Sequence, residues 1–329
     1  MKCKPNSVGK IGKAARMAIW AALLVGVSQS CSPPTGTVRI SFLAQRTALR
    51  ETMKVLEESG CPQSSRESFQ NAVEKYFTTE FEFDFSKFPK PETGFYEFKS
   101  SAELIAALPH RLCETQHRYE INCFDTVILL AGNGISSNLK PDKTAGPFLV
   151  SSSTNRETIF AVTTTQEAFL QQCPIWYMEA TEPFIPSSLR NTRINLNAFF
   201  FRYYELPALT NENTLKENVM NTLRENWRSQ SLKFPGNVEV VLCHQVNPAK
   251  RVFNTDHAGL LIPRVKGYTY IEKAGGSGPF VRLDFDSRTD LIPWLTAMYE
   301  MYSGSRDGYT NFFVTFNDTQ IEQLDVSAR

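Results

Sequence analysis

From about residue 237 onward the chain reads as one strand after another, with a single helix between them. Strands are expected over residues 237–246, 255–262, 268–273, 279–285 and 310–317. The helix spans 288–302, with Pro293 tolerated in its first turns. The first half is mostly helical. A short strand over 37–42 precedes helices at 48–58 and 101–108. Between these, 65–77 is clearly amphipathic, with Phe69, Val73, Tyr76 and Phe77 on one face. A further helix is expected over 214–230, with Leu215, Val219, Leu223 and Trp227 as its stripe. Helices followed by consecutive strands predict an α+β fold, helices packed on an antiparallel sheet. The 24 Phe and 11 Tyr support an aromatic core. Residues 195–204 read as an aromatic strand buried on both sides. Residues 79–100 and 133–157 read as loops, residues 157–162 as a strand and 165–172 as a helix.

The first 30 residues read as a targeting segment. Lys2, Lys4, Lys10, Lys13 and Arg16 precede a short apolar run, Met17 to Val27, too short to span a bilayer. Small residues then lead to Cys31, where a bacterial lipoprotein signal would place its lipid. The expected organisation is a signal peptide over 1–30, a tether over 31–36, an N-terminal helical layer over 37–110 and the main domain over 111–329. The expected location is the cell envelope, anchored to a membrane through Cys31, with periplasmic or secreted protein as the variant lacking the lipid. Without the leader the chain has 30 basic against 34 acidic residues, a net charge of −4. That is no footprint for nucleic acid, which needs a basic surface.

Seven cysteines occur, at 3, 31, 61, 113, 123, 173 and 243. Five lie beyond Cys31. Export permits disulfides, so two bridges plus a free Cys123 is one arrangement and five reduced cysteines another. No spacing suits zinc, and neither a metal nor an organic cofactor is implied.

Cys123 stands out because it opens an apolar helix. Asn122 is a good N-cap, Asp125 can close the cap, and Gly132 or Gly134 can end the helix. A thiol on a first turn feels the positive helix end, which favours the nucleophilic thiolate. Asp125 opposes a negative sulfur. By itself such a cysteine is more often a small core residue.

A second stretch, about 130 residues downstream, changes the weighing. Residues 254–273 read as a hairpin turning at Pro263–Lys266, with Ile262 expected opposite Gly267. That register puts His257 directly opposite Glu272, on one face of the sheet. A carboxylate holding one imidazole nitrogen leaves the other free to serve a nucleophile. Cys123, His257 and Glu272 are then nucleophile, general base and acid, and orienting group. The Cys123 N–H, with Asn122 and Tyr119 as polar neighbours, is the candidate oxyanion donor. His244, in Val-Val-Leu-Cys-His, lies on an apolar face and reads as a satisfied core histidine. His110 and His117 read as surface residues. Asp256 and Arg282 are single charges near strand ends, which are usually solvated, with lining a cleft as their alternative.

A cysteine opening a helix, then His257-Ala-Gly-Leu-Leu on a strand and a polar residue on the next, resembles the NlpC-type branch of the papain-like cysteine hydrolases. Asn122-Cys123, the His257 stretch, Tyr-Ile-Glu272-Lys and Pro-Phe-Val-Arg-Leu-Asp-Phe are similar to a domain-of-unknown-function family of bacterial surface lipoproteins, over much of residues 37–317. The resemblance implies a papain-like fold. The chain departs from the common cell-wall peptidases in having Asn122 before the nucleophile and Glu272 as third residue. The expected function is an exported cysteine hydrolase of an amide bond, in peptidoglycan stem peptides, through a thioester. Alternatives are an acyltransferase, a hydrolase of lipid or small amides, and a non-catalytic binding lipoprotein.

Overall fold

The computed structural model describes residues 37–78, 92–108, 121–138, 182–190, 192, 196, 203–207, 214–274, 278–302 and 308–326. All belong to one unit, Gly36–Arg329. The expected leader, tether and Cys31 lie outside the described residues. So do Tyr119, His110, His117, Cys113, Cys173 and the elements expected over 157–172.

Among the described residues nine strands form one antiparallel sheet. They are β1 (Val38–Ser41), β2 (Tyr96–Phe98), β3 (Tyr203–Glu205), β4 (Glu239–Asn247), β5 (Val252–Pro263), β6 (Tyr268–Lys273), β7 (Phe280–Phe285), β8 (Asn311–Phe316) and β9 (Gln320–Leu324). Their spatial order is β2-β1-β7-β6-β5-β4-β8-β9, and β3 also pairs with β5. The α+β class read from the sequence is what the chain adopts. Two strands were not expected. Tyr96–Phe98 falls in a stretch read as loop, and three residues are too few to show alternation; pairing with β1 makes the strand. β9 returns from β8 through a tight turn at Asn317, whose φ is +50°. Most of the aromatic strand expected over 195–204 lies outside the described residues. Residue 196 is helical and pairing is found from Tyr203 to Glu205.

The helices described along their length are α1 (Arg46–Glu58), α2 (Gln63–Thr78), α3 (Ser101–Ala107), α4 (Cys123–Ala131), α5 (Leu215–Ser229) and α6 (Leu291–Tyr302). Side chains alternate across each strand, so the sheet has two apolar faces. One face carries Val240, Leu242, Leu260, Ile262 and Ile271, and packs on α1, α2, α4 and α5. The other carries Val241, Cys243, Leu261, Tyr270, Leu283 and Val314, and packs on α3 and α6. Helix α4 is buried at all nine positions, from Cys123 to Ala131. Apart from Asp125 and Thr126 in its first turn the helix is apolar, as a helix inside a core should be, and each fully buried Leu or Ile there contributes roughly 1.5–3 kcal/mol. Among the described residues no helix is long and apolar enough to cross a membrane.

Arg282 corrects one expectation. It is wholly buried, not solvated. Its guanidinium donates to both Asp284 oxygens at 3.0 and 2.8 Å, to Glu51 at 3.2 Å and to Thr52 at 3.2 Å. A planar fork that matches a carboxylate survives burial because its donors are satisfied.

Candidate active site

Asn122 has extended backbone geometry and its Oδ1 accepts from the Asp125 N–H at 2.8 Å, so the expected cap forms. Its own carbonyl accepts from the Thr126 N–H at 3.0 Å and the Thr126 hydroxyl at 2.8 Å. Cys123 therefore sits as the first residue of a well-anchored helix. Gly132 begins a short 3-10 turn at the other end.

The turn of the hairpin that carries the histidine is shifted by one residue from the one the sequence suggested. Its loop is Arg264–Gly267, closed by an N–H to carbonyl bond of 3.0 Å, with Gly267 at φ +71°. Pro263 faces Tyr268 and Gly259 faces Glu272. The expected register, His257 opposite Glu272, is thus off by two residues. Because side chains repeat every two residues, the same face is kept. His257 and Glu272 meet diagonally, a separation that long side chains bridge. His257 Nε2 stands 2.5 Å from Glu272 Oε2.

His257 also lies at a break in the sheet. On one side of β5, residues 252–254 pair with β3 and 259–263 pair with β6. No described strand fills the edge between them. On its other side β5 carries a bulge against β4: Cys243 faces His257 and His244 faces Thr255, leaving Asp256 as the extra residue. The imidazole is hydrogen-bonded to the side chain of Cys123. Nε2 is occupied by Glu272, which leaves Nδ1 as the ring nitrogen available to the sulfur. The three residues singled out from sequence are in contact: Cys123 to His257 to Glu272.

All three are buried or nearly so. Cys123 is 5% exposed, the His257 side chain 13% and the Glu272 side chain 0%. Burial works against a charged imidazole. The Glu272 carboxylate and the Cys123 sulfur, by charge and by hydrogen bonding, outweigh it and hold His257 protonated well above the usual histidine range. The other buried histidine behaves oppositely. His244 has hydroxyls on both ring nitrogens, Thr255 at 3.0 Å and Thr315 at 2.9 Å, and no acid. Burial alone brings its pKa down to about 3, so it is the satisfied core histidine expected.

The cysteines separate in the same way. Cys61, Cys123 and Cys243 are all free, so the arrangement with two bridges and Cys123 alone unpaired does not occur. Burial pushes the Cys61 thiol up to about 12, Arg66 opposing. Burial, then Asp256, Glu272 and Cys123, push Cys243 well above the thiol range. Such thiols are inert. Among the three described cysteines, Cys123 is the one hydrogen-bonded to a histidine.

Three residues that sequence reading passed over complete the site. The Tyr270 hydroxyl donates to Glu272 Oε2 at 2.8 Å, and Trp294 Nε1 of α6 donates to Glu272 Oε1 at 2.7 Å. Gly259 leaves room for the tyrosine: a Cβ there would stand 2.1 Å from its hydroxyl oxygen. Tyr270 shares the face of Glu272 by alternation, and a glycine inside a strand signals close approach, so both were readable. Trp294 lies on a helix with no sequence link to the hairpin. Asp256 lines the region too. Its carboxylate accepts from Gln245 and from the Tyr299 hydroxyl.

The profile of a domain of unknown function, DUF4300, matches residues 190–321. The matched segment holds His257, Glu272, Tyr270 and Trp294 and stops short of Cys123. Neither a curated protein nor a solved structure gives a significant match.

Proposed function

We propose that the protein is an exported cysteine hydrolase on a papain-like scaffold, cleaving an amide bond in peptidoglycan stem peptides. The observation that carries this reading is a single imidazole held between the Cys123 side chain and the buried Glu272 carboxylate. A cysteine opening a core helix, and a histidine on the sheet beneath it, support the scaffold assignment. The leader and Cys31 support delivery to the envelope, where stem peptides are the amides at hand; that link is analogy.

Cys123 Sγ attacks the amide carbonyl and forms the C–S bond. The His257 imidazolium gives its proton to the departing nitrogen as the C–N bond breaks, leaving a thioester. The neutral ring then takes a proton from water. The hydroxide attacks, the C–S bond breaks and the carboxylic acid leaves. The Cys123 N–H, on a first turn with no intrahelical acceptor, is the proposed oxyanion donor. Glu272 orients the ring throughout and stabilises its charged form.

Incubating the purified protein with peptidoglycan fragments tests this by mass spectrometry. The expected result is new amino and carboxyl ends, with an acyl mass on Cys123, both lost in Cys123→Ala. Intact fragments and an unmodified Cys123 across a panel of stem peptides would overturn the cell-wall reading.

A further inference from the structure

The most unusual feature beside the three reacting groups is how the third one is held. Glu272 has no exposed side-chain surface, yet both of its oxygens are hydrogen-bonded. The donors come from three elements: His257 of β5, Tyr270 of β6 and Trp294 of α6. A wholly buried carboxylate needs such donors, because desolvation otherwise disfavours it strongly. Resting on the acyl-transfer reading, we propose that Tyr270 and Trp294 are positioning residues: by donating to the two oxygens of Glu272 they fix the carboxylate that aims the His257 ring at Cys123.

The two donors act from different directions. Trp294 takes Oε1, leaving Oε2 to be shared by His257 at 2.5 Å and Tyr270 at 2.8 Å. If Trp294 is removed, the carboxyl group can rotate about its last bond, and the oxygen facing the ring is no longer fixed. If the Tyr270 hydroxyl is removed, Oε2 keeps the ring but loses its neutral donor. Tyr270 remains a donor across the working range, since burial first, and the Glu272 charge next, hold its hydroxyl protonated. Trp294 has no acid–base chemistry and serves only as a donor. Each role is positional, and neither side chain needs to touch the substrate.

Other titratable groups surround the ring and must be kept constant in a test. Cys243 faces it from β4, Asp256 adjoins it in β5 and is held by Gln245 and Tyr299, and Cys123 approaches from α4. Tyr270→Phe and Trp294→Phe leave all of these in place.

The test is the rate of Cys123 alkylation by iodoacetamide between pH 5 and 9, on the wild type, Tyr270→Phe, Trp294→Phe and His257→Ala, with circular dichroism confirming folding. A weaker hold on the charged ring means that it loses its proton at lower pH, so the sulfur becomes reactive only at higher pH. Each phenylalanine variant is expected to lose about tenfold in rate at pH 6, the scale of one hydrogen bond to a charged group. Folded variants with the wild-type profile would overturn the proposal. A wild-type profile that does not change in His257→Ala would instead overturn the acyl-transfer reading itself. If Trp294→Phe does not fold, Tyr270→Phe, which deletes one oxygen, decides the question.

Discussion

Lowering the pH from 7 to 5 should cost the folded chain about 2 kcal/mol through His244 alone. The ring is fully buried and both nitrogens are engaged by hydroxyls, which can donate or accept and so suit a neutral imidazole. Its folded pKa is about 3, while an unfolded histidine titrates near ~6.5. The folded value lies below the unfolded one. Above about pH 6.5 neither state carries the proton and nothing is lost. Between about 6.5 and 3 the unfolded chain binds a proton that the folded chain refuses, so stability falls as pH falls. From pH 7 to 5 the difference in proton binding integrates to about 1.4 pH units, at about 1.4 kcal/mol each. Urea unfolding followed by tryptophan fluorescence measures it, on the wild type and His244→Gln at both pH values. Groups shared by the two proteins cancel. The stability of the wild type relative to the variant should drop by about 2 kcal/mol at the lower pH. A gap that stays the same at both pH values would refute the reasoning, because the folded ring would then accept protons as an exposed one does.

Two further substitutions probe the frame of the site. Gly259→Ala puts a methyl group 2.1 Å from the Tyr270 hydroxyl oxygen, so the ring must move; thermal melting should show a loss of about 1–3 kcal/mol, together with slower Cys123 alkylation. Arg282→Ala removes the buried cation between Asp284 and Glu51 while Arg39 still faces both acids, and urea unfolding should show a loss of about 1–3 kcal/mol with the Cys123 alkylation profile unchanged in protein that folds.

The parts of the site that were legible in sequence are those fixed by local rules. A cap residue before Cys123 and an apolar run after it specify a helix start, and both hold. His257 and Glu272 share a face because the strand period is two, and an error of two residues in register preserves that period. What was hidden is non-local. Trp294 meets Glu272 only because α6 packs on the face of the sheet opposite α4, and no spacing in the chain announces it. Arg282 is buried for a partly related reason: Asp284, two residues on in its own strand, and Glu51, from α1, supply the acids that hold its charge. The break in the sheet edge beside His257 likewise depends on where β3 pairs, which an aromatic run by itself does not reveal.

The central claim is that Cys123 is activated by His257, and site-resolved alkylation of the native protein tests it most directly. Iodoacetamide labelling across pH, with peptide mapping, should show Cys123 modified at pH 6 while Cys61 and Cys243 stay unmodified. In His257→Ala the rate of Cys123 labelling at pH 6 should fall by at least about tenfold. Cys123 that resists labelling in the folded protein, or labels identically without the imidazole, would contradict the account.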